Sequence, residues 1–340
     1  MDLYSTNALT TVVMSLLGNP QFLLNRYFGT IQTEAAEEIH FDVTDGKRRI
    51  APFCSPLVEG QIVAELGWTT YTFKPAYIKD KRVFDMNRPL KRSPGEQLGG
   101  SLDPMDRLRA LIGWQLQDQR SMLNRRLEVM AGEILAKGLC TIQGDKYPVV
   151  IVNFGRAAGN SVTASPLWSD TANANPLADL TNWASIGLQS AGIMLTDAIM
   201  PPPVWNAFAA NAKVQAQLNL FRAIGAPPTL DYNTPITEGA VLMGSIVGLN
   251  IWQYASWYVD PVDGNQKTII PQDTVILVSS LIEGVQAYGA IRDEEAGLQP
   301  LPFFVKSWIE PDPSVRFIML QSAPLLVPYR PNASVAGKVL

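Results

Sequence analysis

Residues 103 to 137 set the first limit on what this chain can fold into. Asp103 is a favourable N-cap, Pro104 suits the first helical position, and Asp106 places an acid in the first turn. Gly138 follows Lys137 as a C′ stop. Between them Leu108, Ile112, Leu116, Leu123, Leu127, Met130 and Ile134 recur at helical spacings, which makes one apolar stripe. The other faces carry Arg107, Arg109, Asp118, Arg120, Arg125, Arg126, Glu128 and Glu133. A helix of about 34 residues would span roughly 50 Å, where the average globular helix has about three turns. No heptad holds along it, which argues against a coiled coil. One long helix among short strands predicts a backbone on which a flat molecule is hung.

The 340 residues allow two domains or one large one. With 47% hydrophobic and 17% charged residues, a packed core rather than disorder is expected. A net charge of −4 gives no global basic field towards nucleic acid. His40 is the one histidine, which leaves little room for histidine metal sites or for Ser-His and Cys-His catalysis. Cys54 and Cys140 are too few and too far apart for a disulfide framework; they read as small buried hydrophobes of a reduced, cytoplasmic protein. The chain has no Walker loop, no G-x-G-x-x-G opening a helix, no H-E-x-x-H and no C-x-x-C. No signal peptide is read at the N-terminus, and the apolar run Leu9 to Leu17 is too short to span a bilayer. No cofactor and no membrane are expected.

Taken in order, residues 1–37 read as two short helices, Thr6 to Leu17 and Gln21 to Phe28, around Gly18-Asn19-Pro20. Phe22, Leu23, Leu24, Tyr27 and Phe28 cluster there. Two readings stand equal: an arm that packs outside its own core, and a helix pair docked on its own domain. On the first, removing residues 1–30 is expected to leave a folded subunit that cannot form closed shells. Ile39 to Val43 and Arg48 to Cys54 read as a hairpin around Thr44-Asp45-Gly46. Residues 58–92 form a basic, extended excursion, with β-prone pieces at Gln61 to Glu65 and Thr69 to Phe73. Between 74 and 92 seven bases (Lys74, Lys79, Lys81, Arg82, Arg88, Lys91 and Arg92) stand against Asp80 and Asp85. A two-stranded ribbon is marginal alone, so this one is expected to lean on a partner. After the long helix come a hairpin (Leu139 to Gln143 with Val149 to Phe154) and a polar, turn-rich stretch. Helices at Asp179 to Gln189 and Val204 to Phe221 then flank strands at Ile193 to Met200, Val241 to Val247, Leu249 to Tyr254 and Thr274 to Ser279. Arg316 to Leu320 and Leu325 to Pro328 close the chain as strands.

The charged clusters read as contacts rather than chemistry. Paired acids can do acid–base work, but Asp293, Glu294 and Glu295 stand in a row and point different ways. They read as a solvated loop or as a salt-bridge partner for a neighbouring subunit. The bases of 74–92 lack an aromatic platform organised for single strands. They are expected to grip a neighbouring subunit rather than DNA. Their candidate partners are Glu34, Glu37 and Glu38, Glu128 and Glu133 on the long helix, and Asp293 to Glu295. Reversing Lys79, Lys81 and Arg82 together is expected to abolish assembly without unfolding the subunit.

Five stretches in one order resemble the lambda-type major capsid proteins of tailed phages. They are Phe73-Lys74-Pro75-Ala76-Tyr77-Ile78-Lys79, then Lys137-Gly138 to Gly155-Arg156, then Tyr288-Gly289-Ala290-Ile291-Arg292-Asp293. Lys306-Ser307-Trp308 with Asp312-Pro313 and Gln321-Ser322-Ala323-Pro324-Leu325 complete the set. The resemblance implies an α+β chain with the Hong Kong 97-like phage capsid fold. Its parts would be an N-terminal arm (1–37), an extended loop (58–92), an axial domain (177–308), and a peripheral domain in three pieces (38–57, 93–176 with the spine helix 103–137, and 309–340). It implies a head protein that self-assembles into pentamers and hexamers of an icosahedral shell around double-stranded DNA. Scaffold and portal proteins, and a decoration protein at three-fold sites, are the further partners it implies. Some relatives join an extended-loop lysine to an asparagine near the C-terminus with the help of a glutamate. Lys79 or Lys81 and Asn332 match the first two parts, but no acid lies beyond Asp312. Non-covalent adhesion is therefore expected. The rivals are an enzyme with a carboxylate site in 177–308 and another phage structural protein, such as a tail-tube subunit.

Overall fold

The computed structural model describes residue 9 and residues 21–36, 38–44, 68–84, 103–144, 147–223, 239–312 and 315–340. The expected strands at Arg48 to Cys54 and Gln61 to Glu65 lie outside these residues, as do Glu37, Arg88, Lys91 and Arg92.

The long helix is present with the bounds read from the sequence: α2 runs Pro104–Lys137, 34 residues, and Gly138 ends it in the left-handed region at φ 71°, although Asp103 at the N-cap makes no side-chain cap hydrogen bond. A Cβ on Gly138 would stand 2.6 Å from that of Arg156, and the Arg156 guanidinium donates to Leu135 O and Ala136 O, both at 2.9 Å. A cation thus satisfies carbonyls that the helix end leaves without intrahelical partners. Every member of the predicted stripe is buried. The stripe serves two cores. Leu108, Ile112, Leu116 and Leu123 pack with Val305, Ile318 and Leu320, and Leu127, Met130 and Ile134 pack in a larger cluster with Phe22, Leu23 and Tyr27 and with Leu325 and Val327.

Strands β4 (Ile78–Phe84), β15 (Phe304–Glu310) and β16 (Val315–Ser322) form the sheet under the first half of α2, in the order β15-β16-β4. A second three-stranded sheet has the order β1 (Thr30–Thr33), β14 (Gly284–Tyr288), β17 (Pro324–Pro328). Two hairpin-like pairs are β2 (Ile39–Thr44) with β3 (Trp68–Phe73), and β5 (Leu139–Gly144) with β6 (Tyr147–Asn153). Thus the described partner of β2 is β3, and β4 pairs with β16 rather than with β3. Residues 68–84 of the expected extended excursion are therefore paired within the subunit itself.

The third layer is a six-stranded sheet in the order β7-β18-β13-β8-β10-β9. Its strands are β7 (Ser161–Thr163), β8 (Asp197–Met200), β9 (Ala240–Ile246), β10 (Leu249–Tyr254), β13 (Thr274–Val278) and β18 (Ser334–Lys338). Helices α3 (Pro176–Ala191), α4 (Pro202–Ala210) and α5 (Ala212–Ala223) contribute to its core, in which Trp168, Trp183, Trp205 and Phe208 are buried. The helix read as continuous over 204–221 breaks at Asn211, whose φ of −69° and ψ of 128° are extended. The remaining ribbon pairs β11 (Trp257–Val259) with β12 (Gln266–Thr268). The sheets cut across the boundaries drawn from sequence: β18, from the 309–340 piece, sits beside β13 in the six-stranded sheet. Conversely β14, from the 177–308 piece, pairs with β17 and β1.

The main departure is at the N-terminus. Helix α1 (Phe22–Tyr27) is docked on its own subunit, not held out as an arm. Phe22, Leu23, Leu24, Tyr27 and Phe28 are all 5% exposed or less, each such burial stabilising by about 1.5–3 kcal/mol. Two acids hold the segment. Glu128 on α2 accepts from Leu23 N and Leu24 N at 2.9 Å and from Tyr254 Oη at 2.8 Å. It does the work of an N-cap for a helix whose own Gln21 side chain makes no cap bond. Asp197 on β8, fully buried, accepts from Arg26 Nε and Nη2 at 3.0 Å and from Tyr27 Oη, Asn250 Nδ2 and Trp252 Nε1 at 3.1 Å. Behind the helix Gly284 is required, because a Cβ there would collide with Tyr27 O and the Phe28 ring. Deleting residues 1–30 therefore uncovers a core, and the truncated chain is expected to unfold or precipitate rather than persist as a folded subunit. Glu128→Ala orphans three buried donors at about 1–3 kcal/mol each. A marked fall in denaturation midpoint checks it; an unchanged midpoint refutes the clamp.

Candidate subunit-contact surface

The alternation of β4 decides what its bases can do. Its register with β16 and β15 puts Lys79, Lys81 and Val83 on one face with Phe317, Met319, Lys306 and Trp308. Ile78, Asp80 and Arg82 fall on the other face with Ile318, Leu320 and Val305, towards α2. On the outer face Phe317 and Trp308 stack across the strands, ring centroids 5.4 Å apart. The Lys81 ammonium lies 4.0 Å from the Phe317 centroid and 5.2 Å from that of Trp308. Lys79 lies over Tyr77 at 5.5 Å and Lys306 over Trp308 at 5.8 Å. The result is a mixed cationic and aromatic surface, with the ammonium groups resting on ring faces.

Arg82 is spent inside the subunit. Its guanidinium donates to Asp80 Oδ2 at 2.9 Å, Gln115 Oε1 at 2.8 Å and Asp118 Oδ2 at 2.7 Å. Burial pulls its pKa down, but its bonds to Asp80 and Asp118 outweigh that and the net shift is upward. Glu128 is likewise withdrawn as a contact, being 3% exposed under α1. Glu133 accepts from Thr141 N and Thr141 Oγ1 at 2.9 Å and meets Lys137 at 3.3 Å, which ties α2 to β5. Asp293 meets Lys306 and accepts from Gln321 Nε2 at 2.8 Å. Burial pulls its pKa up, while those hydrogen bonds carry the carboxyl below its ordinary range. Lys74 and Glu38 form an exposed pair at 3.6 Å, and Glu34 accepts from His40 N at 3.3 Å. Of the expected contact residues that are described, Lys79, Lys81, Glu294 and Glu295 remain exposed at the surface. The grouping of all the bases as one gripping set is thus corrected: strand parity sends Arg82 inward.

The two larger clefts among the described residues flank the second half of α2. One, of about 620 Å³, opens between the helix and the β11–β12 ribbon, lined by Arg126, Glu133, Lys137, Tyr258, Asp260 and Lys267. The other, of about 360 Å³, lies towards Tyr77, Ile142 and Pro324. Among the described residues no three His, Cys, Asp or Glu side chains group as metal ligands. Burial pushes the Cys140 thiol up to about 12, so it is a packed hydrophobe rather than a nucleophile. Asp197 was not read from the sequence, although an acid inside an otherwise apolar strand is a signal that buried donors must meet it.

These positions separate two effects of charge reversal. Arg82→Glu is expected to lower thermal stability, since it leaves Asp80 and Asp118 facing a third carboxylate. Lys79→Glu with Lys81→Glu removes only exposed ring contacts, worth about 1 kcal/mol or less each. Thermal denaturation of the two variants checks this, and equal losses would refute the inward placement of Arg82.

The comparisons with known proteins agree along the chain. The family model described as "Phage major capsid protein E" matches residues 5–339. The major capsid protein of Escherichia phage lambda is 26% identical over 345 residues, covering 99% of each chain. That of Enterobacteria phage P21 is 27% identical over 350 residues, covering 100% of each. Among solved structures, a prophage protein of Escherichia coli CFT073 assigned to the capsid has a TM-score of 0.75 at 20% identity, covering 98% of this chain and 99% of that one. The capsid of Ralstonia phage GP4 has a TM-score of 0.52 at 15% identity, covering 94% and 91%. The fold is therefore the Hong Kong 97-like capsid fold expected from the sequence.

Proposed function

The chain belongs to the phage major capsid protein E family, and from that membership we propose how it builds a shell. It is a major capsid protein of a tailed phage, a structural protein of the virion and not an enzyme. Self-assembly into a capsid is its activity. The observation that carries this is the family match over residues 5–339.

The proposal is that pentamers and hexamers of the chain close an icosahedral shell around double-stranded DNA, held without covalent cross-links. Outward lysines at 79 and 81 and outward acids at 294 and 295 support contacts made by charge between copies. An exposed pair is worth at most about 1 kcal/mol. Repeated round a closed shell, many such pairs add through avidity. A scaffold, a portal, a decoration protein at three-fold sites, and non-specific contact with packaged DNA complete the proposed partners, with assembly in the bacterial cytoplasm. Asn332 supports the non-covalent reading, since its Oδ1 already accepts from Ala157 N at 2.7 Å.

Electron microscopy of the purified protein tests the reading. Closed particles are expected, loosening as salt rises because the Debye length is only about 8 Å at physiological strength. Monomers or small oligomers under every assembly condition would overturn it, and a ladder of multimers on a denaturing gel would overturn the non-covalent part.

A further inference from the structure

The loop after β14 carries an unusual turn. Gln299 N donates to Ala296 O at 3.3 Å, and the two residues between have positive φ, 61° at Gly297 and 57° at Leu298. That is a type I′ turn, whose second central position favours glycine or asparagine. Here it holds a leucine, which an L side chain occupies only against steric opposition. Backbone bonds from Gly297 N to Glu294 O at 2.9 Å and from Leu298 N to Asp293 O at 3.4 Å close the turn, but Leu298 itself is 62% exposed and gains little packing within the subunit. Glu294 and Glu295, both exposed, stand beside it. The turn is thus an apolar knob with an acidic flank.

A complementary hole lies on α2. A pocket of about 120 Å³ is lined by Met122, Val129, Tyr258, Val259 and Pro261 together with Arg125 and Arg126. An engineered apolar cavity of about 150 Å³ holds a benzene ring, so this one suits a single aliphatic side chain. Met122 is 50% and Val259 54% exposed. Neither arginine has an ion-pair partner among the described residues. Size, polarity and charge therefore match between two places on the same chain.

We propose that the Leu298 turn of one copy docks into the Met122–Val259 pocket of a second copy, with Glu294 and Glu295 meeting Arg125 and Arg126. This rests on the shell reading above and names one of its contacts. Knob and hole are different surfaces, so the contact is heterologous and closes rings or propagates rather than ending at a dimer. The strained turn is retained because its knob is used between subunits.

The test uses the full chain. Leu298→Asn suits the turn, so the subunit should melt no lower than wild type while the assembled fraction falls by about tenfold or more, the loss recurring at every copy. Arg125→Glu with Arg126→Glu should do the same. Combining that pair with Glu294→Arg and Glu295→Arg should restore shells. If a charge variant misfolds, Leu298→Cys with Val259→Cys keeps the question open to measurement: a disulfide between chains should form in assembled particles and not in the single-cysteine controls. Wild-type assembly by Leu298→Asn, failure of the charge swap to restore shells in folded protein, or no disulfide between chains would each overturn the contact. Failure of the wild type itself to form particles would instead count against the shell reading.

Discussion

A helix of 34 residues is longer than one small core can cover. The apolar stripe of α2 is continuous, yet its first half is covered by the β4–β15–β16 sheet and its second half by α1, β17 and the neighbouring loops. Nearly every other element is placed by that division. Each sheet takes one stretch of the stripe, so the subunit extends along the helix instead of rounding up around it. A molecule built this way has much surface for its volume. That is costly for a solitary globule and useful for a tile whose edges meet other tiles.

The stripe was legible in the sequence because helical periodicity is a local signal, and the burial of Leu108 through Ile134 follows it. The hairpin after Gly138 and the helix–strand alternation from 176 to 278 were legible for the same reason. What escaped depended on distant partners. Phe22 to Phe28 look like a greasy arm until Glu128 and Asp197, about 100 and 170 positions away, are seen to hold them. Glu128 itself reads as a solvated helix charge, because helix phase alone cannot tell a solvent face from a face covered by another helix. In β4, alternation was visible in the letters, but which parity faced α2 was fixed by pairing with β16, some 240 positions on. β18 was missed outright; its Ser334–Lys338 run is short and carries a glycine, and its pairing with β13 makes the strand.

The acids of this chain divide by burial into two jobs. Asp197 and Glu128 are hidden, each accepting three or more hydrogen bonds, and they fix α1 to the sheet and to the spine. Such groups are expensive to bury and far more expensive to strip of a partner. They make the docked position of α1 nearly all-or-none. Glu294 and Glu295 stay in solvent, where any single pairing is weak and reversible.

That split suits a shell. Errors in assembly can be undone only if each contact between copies is weak, and a closed particle persists only if those contacts are many. Weak contacts add, however, only when the surfaces presenting them are held in fixed relation, because flexibility would cost entropy at every docking event. The strong, buried hydrogen bonds therefore belong inside the subunit, where they hold the layers on α2. The soft charges and the strained aliphatic turn belong at its edges. Exchanging the two would give either a subunit too loose to tile or contacts too tight to correct.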